Sequence, residues 1–311
     1  MGLIDFSVQA QSTSRADWLS LARRAEQDGY VRLYGADHPG LSVSPVPALA
    51  SAAAVTSDLA VGALVMNTGV HEPFDIAADV ASLQLLSGGR AVLGLGAGHT
   101  PAEWAHIGRD YPSADARISR LFEVADVVRE LLSGAAVDFA GEHITVQGRL
   151  EIADGQPRVP LLIGGNGRRL LRYAARHADI IGMTGLGRTL ADGHSHQVQW
   201  TPAQIDERVE LITDATPAGR QPIREALVQT VRLTDDAEAV AAQLISEFGA
   251  ETLTPQQVLD SPYALIGTPE EIVTNLRRQA KDRGITAFVV RADTLDQMRP
   301  IREAMVRNHD A

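Results

Sequence analysis

The sequence contains no cysteine. Disulfides, thiolate metal sites and a thiol nucleophile are excluded together. It contains one lysine, Lys281, inside a helical pattern. No lysine is therefore placed at a strand end for carbonyl chemistry, which weakens an isomerase reading. Long apolar runs are missing too: none reaches the roughly 18 residues a membrane span needs. Met1–Gln11 lacks the basic start and apolar stretch of a secretory signal, so the expected setting is the cytoplasm, with no membrane partner. Positive charge is short as well, 28 Lys and Arg against 39 Asp and Glu, for a net charge of −11. Nucleic-acid binding needs a positive surface to displace counterions from phosphates, so no such partner is expected. That balance still leaves room for a local basic pocket.

Hydrophobic residues make up 45% of the 311 positions, enough for a large core. Eight short β-like runs are legible: Leu3–Val8, Tyr30–Tyr34, Leu59–Met66, Ala91–Gly96, Pro160–Ile163, Asp179–Met183, Ala226–Leu233 and Thr286–Val290. Most are nearly continuous apolar runs, as strands buried on both faces are. Helical patterns separate them. Trp18, Leu21, Ala22 and Ala25 share a face before Gly29. Similar stripes run through Phe74–Leu86, Ile118–Leu132 and Val240–Phe248, and a closing helix is expected around Leu295–Met305. Thr268-Pro269-Glu270-Glu271 has the spacing of a capping box with proline at the first helical position.

Strand–helix alternation repeated eight times predicts a (β/α)8 TIM barrel, one domain over residues 1–311. An open doubly wound sheet is the runner-up. Three segments exceed the minimal plan: a hairpin at Val137–Gln147, a polar loop at Thr184–Thr201, and Gly249–Ala264 with a short helix at Thr254–Leu259. They are read as insertions at the C-terminal face of the strands, where long ordered loops serve active sites.

The same rule directs attention to the residues after each strand. After the second run come Asp37 and His38, a carboxylate beside an imidazole that can tune its proton affinity, or a turn before Pro39. After the third come Asn67 and Thr68, either polar groups in a barrel mouth or ordinary turn chemistry. The fourth is followed by Gly94-Leu-Gly-Ala-Gly98-His99, whose glycines permit close approach of something flat to the backbone. A dinucleotide fingerprint is rejected there, because Pro101 intervenes before any helix. The fifth leads through Gly164-Gly165-Asn166-Gly167 into a helix from Arg168 to His177. Bare amides at a helix start make an anion site, to which Arg168 or Arg169 can add charge, while a tight turn is the plainer reading. The nine histidines, including His38, His71, His99, His194 and His196, show no spacing that fixes a metal, so no metal is assigned. Trp200 reads as packing or pocket lining.

Taken in order and spacing, several segments resemble the luciferase-like oxidoreductases, in particular the branch using the deazaflavin coenzyme F-420. They are Tyr34-Gly-Ala-Asp37-His38-Pro39, Gly62-Ala-Leu-Val-Met-Asn67, Leu86-Ser-Gly-Gly-Arg90 with Leu93-Gly-Leu-Gly-Ala-Gly98, Leu162-Ile-Gly-Gly-Asn-Gly167 with Tyr173-Ala-Ala-Arg-His-Ala-Asp179, and Ile266-Gly-Thr-Pro-Glu-Glu271. The resemblance implies that Asp37 and His38 lie beside the deazaflavin ring, with His38 moving a proton or stabilising the reduced cofactor. It places Leu64–Val65 where the family often has a non-proline cis peptide in a bulge backing the ring. Asn67 falls where a polar side chain meets the ring. Gly98 and His99 fall at the cofactor pocket, and Gly164, Gly165, Asn166 and Gly167 at the phosphate loop.

The sugar-phosphate dehydrogenases of this branch carry a tryptophan soon after the Asp-His pair and a glutamate after the fourth strand. Here Gly40-Leu-Ser-Val-Ser44 follows the pair, and His99 follows Gly98. Sugar-phosphate oxidation is therefore not carried over, and His99 stands as a second proton donor or a pocket residue. The expected function is hydride transfer between F-420 and a small organic substrate, with catalytic Asp37 and His38. Rivals are a monooxygenase using reduced flavin mononucleotide (FMN) and a non-catalytic flavin-binding barrel. By the same resemblance a homodimer through helices after the early strands is expected.

Overall fold

The computed structural model describes residues 4–11, 14–190, 196–250 and 252–307. Its strands, in chain order, are β1 (Asp5–Ala10), β2 (Arg32–Gly35), β3 (Ala60–Ala63), β4 (Met66–Asn67), β5 (Ala91–Gly96), β6 (Val137–Ala140), β7 (Thr145–Gly148), β8 (Leu161–Gly165), β9 (Ile180–Met183), β10 (Leu186–Thr189), β11 (His196–Val198), β12 (Ile223–Leu227), β13 (Thr230–Leu233), β14 (Ala264–Gly267) and β15 (Ile285–Arg291). Hydrogen bonds order the nine-stranded sheet β3, β2, β1, β15, β12, β9, β8, β5, β4, and β3 also pairs with β5. Counting β3 and β4 as one interrupted strand, this is the connectivity of the (β/α)8 barrel. The continuous apolar runs have their cause here, since all residues of β2 and β5 are buried.

The chain divides into two compact units. One comprises Gln9–Gly164 and His177–Asp179. Its helices follow the sequence signals closely. Ser14 caps Arg15–Gln27 by accepting from the Asp17 amide, and Trp18, Ala22 and Ala25 form the buried face. Pro73–Leu86 and Ala114–Leu132 carry the two expected apolar stripes. The hairpin β6–β7 is antiparallel, and Glu123 holds its tip by accepting from the amides of Glu142, His143 and Ile144.

Arg90, the last residue of the Ser-Gly-Gly-Arg block, has a structural task in this unit. Its guanidinium donates to the carbonyls of Ala53, Thr56, Leu59 and Ser87 and to the Thr56 hydroxyl, over 2.7–3.1 Å. One planar cation thus ties the end of helix Pro45–Ala53 and the strand after it to the start of β5.

The other unit comprises Met1–Val8, Gly165–Arg176 and Ile180–Ala311. Thr268 caps Pro269–Arg283 in a reciprocal capping box with Glu271, as its spacing predicts. Lys281 is exposed on that helix. Trp200 is buried, stacked on Tyr263 with ring centres 5.9 Å apart, so it packs.

Some boundaries differ from expectation. The first run, expected from Leu3, begins at Asp5 and extends to Ala10; Leu3 lies outside the described residues. Leu59–Met66 is broken between Ala63 and Met66. Ala226–Leu233 is two strands. The Val228 amide still donates to Val289 in β15, but the Gln229 amide donates to Tyr263, and β13 then pairs with β14. A change of hydrogen-bonding partner within one apolar run leaves no mark in hydrophobicity. The Thr184–Thr201 loop contains the small β10–β11 sheet; His194 falls outside the described residues. No helix among the described residues is long and apolar enough to cross a membrane.

Candidate active site

Asp37 and His38 follow β2, and their side chains take different partners. Asp37 is buried. Its Oδ2 accepts from the Asn67 amide at 2.9 Å and pairs with His71 Nε2 at 2.8 Å. The turn after β4 causes the second contact. The amides of Val70 and His71 donate to the Asn67 carbonyl, the Gly69 amide donates to Asn67 Oδ1, and the chain folds back to aim His71 at Asp37. Hydrogen bonding to Asp37 raises the pKa of His71 against the opposing effect of burial, with Asp79 and Glu103 adding to the rise.

His38 pairs instead with Glu103, 65 positions further along the chain, at 2.8 Å between Nδ1 and Oε1. The Glu103 side chain is 2% exposed and that of His38 33%. Asn67 Nδ2 donates to the other Glu103 oxygen at 2.6 Å. Both oxygens of a carboxylate accept, so Nδ1 of His38 carries the hydrogen. The result is a continuous chain, His38–Glu103–Asn67–Asp37–His71: buried carboxylates and an amide in the middle, a partly accessible imidazole at each end. His99 adds a third imidazole, edge-on to His38 with ring centres 5.9 Å apart.

Glu103 was not singled out from the sequence. Thr100-Pro-Ala-Glu103 has the same spacing as Thr201-Pro-Ala-Gln204, Thr254-Pro-Gln-Gln257 and Thr268-Pro-Glu-Glu271. The last three form capping boxes. Helix Pro101–His106 does not: Thr100 makes no side-chain cap bond, and Glu103 turns inward. An acid at the third helical position that leaves its own helix start unserved is the structural signature of its role.

The Leu64–Val65 peptide bond is cis, at the position the resemblance indicates. Gln9 Nε2 donates to the Leu64 carbonyl at 2.5 Å. The glycines of β5 need a different account from close ligand approach. A Cβ at Gly94 would lie 1.8 Å from the Ala63 carbonyl oxygen. At Gly96 it would lie 2.2 Å from Val65, and at Gly98 2.2 Å from both Asn67 and Trp104. These glycines admit the protein's own bulge and site residues. Gly164 likewise faces Val65, at 2.8 Å.

In the other unit, Gly165, Asn166 and Gly167 lead into helix Arg168–His177. Asn166 is held by Nδ2 donating to Gln199 Oε1 and by Arg208 donating to its carbonyl. Its Oδ1 is buried with no partner among the described residues. A Cβ at Gly167 would meet nothing within 4 Å, so the helix start is open there. Arg168 pairs with Glu207, so its charge is already answered. Gln199 and Arg208, which hold the turn from a distant loop and helix, carried no local signal.

The model of the luciferase-like monooxygenase family matches residues 3–287. The chain belongs to this family. It is 26% identical over 322 aligned residues to an F420-dependent glucose-6-phosphate dehydrogenase of Kineococcus radiotolerans, covering 95% of this chain and 93% of that one. Two other curated relatives, 30% and 29% identical, are matched over 54% and 55% of their lengths: the chain spans about half of them. Among solved structures it is similar to the coenzyme F420-dependent tetrahydromethanopterin reductase of Methanopyrus kandleri, with a TM-score of 0.72 at 19% identity over 98% and 97% of the two chains. It is also similar to the EDTA monooxygenase of Chelativorans, with a TM-score of 0.75 at 18% identity over 98% and 94%. These likenesses show the fold.

Proposed function

We propose that the protein is a coenzyme F-420-dependent oxidoreductase, the whole chain forming one luciferase-like barrel domain, acting in the cytoplasm on a small organic substrate. The observation that carries this reading is His38, a third exposed, with Nδ1 fixed on the buried carboxylate of Glu103. The likeness to relatives named as F420-dependent supports the choice of cofactor.

The residues present fit such a group. Asn166 Oδ1 is a buried acceptor without a partner among the described residues, suited to a hydroxyl. The open helix start at Gly167 suits a phosphate, and Gly164 and Gly165 complete the same turn in this reading. Leu64 and Val65 back the ring in this reading, and Asp37, Asn67, Gly98 and His99 line its surroundings. When bound, a deazaflavin supplies the hydride chemistry. The chain's own task is protonic. Glu103 holds His38 in one tautomer, so that Nε2 takes or gives the proton that accompanies hydride transfer. Asn67 fixes Glu103, and the Asp37–His71 couple fixes the turn that carries Asn67.

Glu103 supplies an acid after β5, but Pro39–Ser44, the stretch directly after His38, holds no tryptophan, so sugar-phosphate oxidation is not proposed. The substrate class under test is an enone, an imine or an alcohol. A homodimer through helices after the early strands belongs to the same reading, with Leu85 and Leu86 exposed at the end of helix Pro73–Leu86. Sedimentation would check it.

A monooxygenase using reduced FMN is the second reading, favoured by the family's description and by the likeness to EDTA monooxygenase. Titration of the purified protein with F-420 and with FMN separates the two. Tight FMN binding with no F-420 binding overturns the proposal. A non-catalytic flavin carrier is tested by His38→Ala, which abolishes turnover only if the protein is an enzyme.

A further inference from the structure

Beside the site, and lined in part by Trp104, lies a depression of about 420 Å³. Arg109, Arg117 and Arg120 line it, with Trp104 and Ile144 as apolar surface. Three arginines from two stretches of chain converge on one hollow in a protein of net charge −11.

Their charge is only partly answered. Glu72 serves two of them, 2.6 Å from Arg109 and 3.6 Å from Arg120, and Asp110 is the other acid lining the hollow. Arg117 has no carboxylate within ion-pair distance among the described residues. Its Nε donates to the Gly98 carbonyl and its Nη1 to the Pro112 carbonyl. Its guanidinium lies 4.2 Å from the ring centre of Tyr111. Partial burial lowers its pKa, with no carboxylate beside it to offset the effect. With Nε and Nη1 taken by carbonyls, Nη2 of Arg117 remains to meet a planar or tetrahedral oxyanion on an apolar body.

We propose that this depression is a binding site for a small organic oxyanion, a carboxylate or a phosphate monoester, held by Arg109 and Arg117 and packed on Trp104 and Ile144. The site is distinct from the Gly164–Gly167 turn and does not depend on which redox cofactor the protein uses. Arg117 also holds Gly98, and the Tyr111 hydroxyl holds the carbonyl of His99, so a ligand here would touch the loop that carries His99 to His38.

Calorimetric titration of the full chain with benzoate, and separately with inorganic phosphate, tests the idea. Millimolar or tighter binding of either probe is expected, and the better probe distinguishes the carboxylate from the phosphate source. Arg117→Gln and Arg109→Gln should each weaken binding by about tenfold or more. Arg117→Lys should fall between, because it keeps the charge and loses the fork. If Arg117→Gln fails to fold, the partly exposed Arg109→Gln decides. Wild-type affinity in the glutamine variants overturns the proposal, as does the absence of binding by the wild type.

Discussion

Glu103 Oε1 lies 2.8 Å from His38 Nδ1, although the two residues enter the chain 65 positions apart on different elements. The carboxylate decides which nitrogen of His38 carries the hydrogen, and so which one meets the reacting groups. Glu103→Gln keeps the size and the bond to Asn67 within reach, but its amide can present a donor to Nδ1 and invert the tautomer. Turnover with F-420 should fall by roughly 10²-fold or more with little change in substrate KM. Unchanged turnover would remove His38 and Glu103 from the chemistry.

His71 makes stability depend on pH. Its pKa is raised from 6.5 by the bond to Asp37, so the folded state binds this proton more tightly than the unfolded chain does. The contribution is fully present below about pH 6.5 and is lost as pH rises through the higher folded value. Melting temperature should therefore decline as the pH rises above about 6.5. His71→Asn should melt lower at pH 6 and show a flatter profile through that range. Parallel profiles for the two proteins would mean that the pair does not titrate this way.

Two glycines should separate packing from binding. A methyl at Gly94 would collide with the Ala63 carbonyl, so Gly94→Ala should cost about 3 kcal/mol or more, read as a lower urea midpoint. Gly167→Ala points into open space and should leave the midpoint within about 0.5 kcal/mol of wild type. On the reading above it should weaken cofactor binding. Tight binding by a folded Gly167→Ala protein would move the phosphate elsewhere.

Arg90→Lys should be nearly as damaging as Arg90→Ala. Lysine keeps the charge but cannot reach four carbonyls and a hydroxyl from one plane. A loss of about 3 kcal/mol is expected for alanine, and chemical denaturation would measure both.

The barrel was legible because each buried strand writes a continuous apolar run and each helix a stripe with a stop. Ala91–Gly96 and the helix from Arg168 to His177 match their expected bounds. The division of Ala226–Leu233 was not legible, since Val228 and Gln229 are both compatible with a strand and differ only in the partner they meet. In the site, Asp37, His38 and Asn67 could be found from their places after strands. Their pairing could not. Sequence adjacency suggested that Asp37 serves His38, whereas a turn five residues long brings in His71, and a helix start brings in Glu103. The glycines in and just after β5 were visible as a pattern, but the atoms they make room for belong to Ala63, Val65, Asn67 and Trp104.

The unserved start of helix Pro101–His106 sets function against stability at a single side chain. Gln204 and Gln257 close capping boxes at equivalent spacing. A side chain at 103 that turned outward would do the same for Thr100, tightening a six-residue helix while releasing His38. The variant that works least would then melt no lower than the parent, and a search for hardier versions of this protein would keep drifting toward inactive ones at this position.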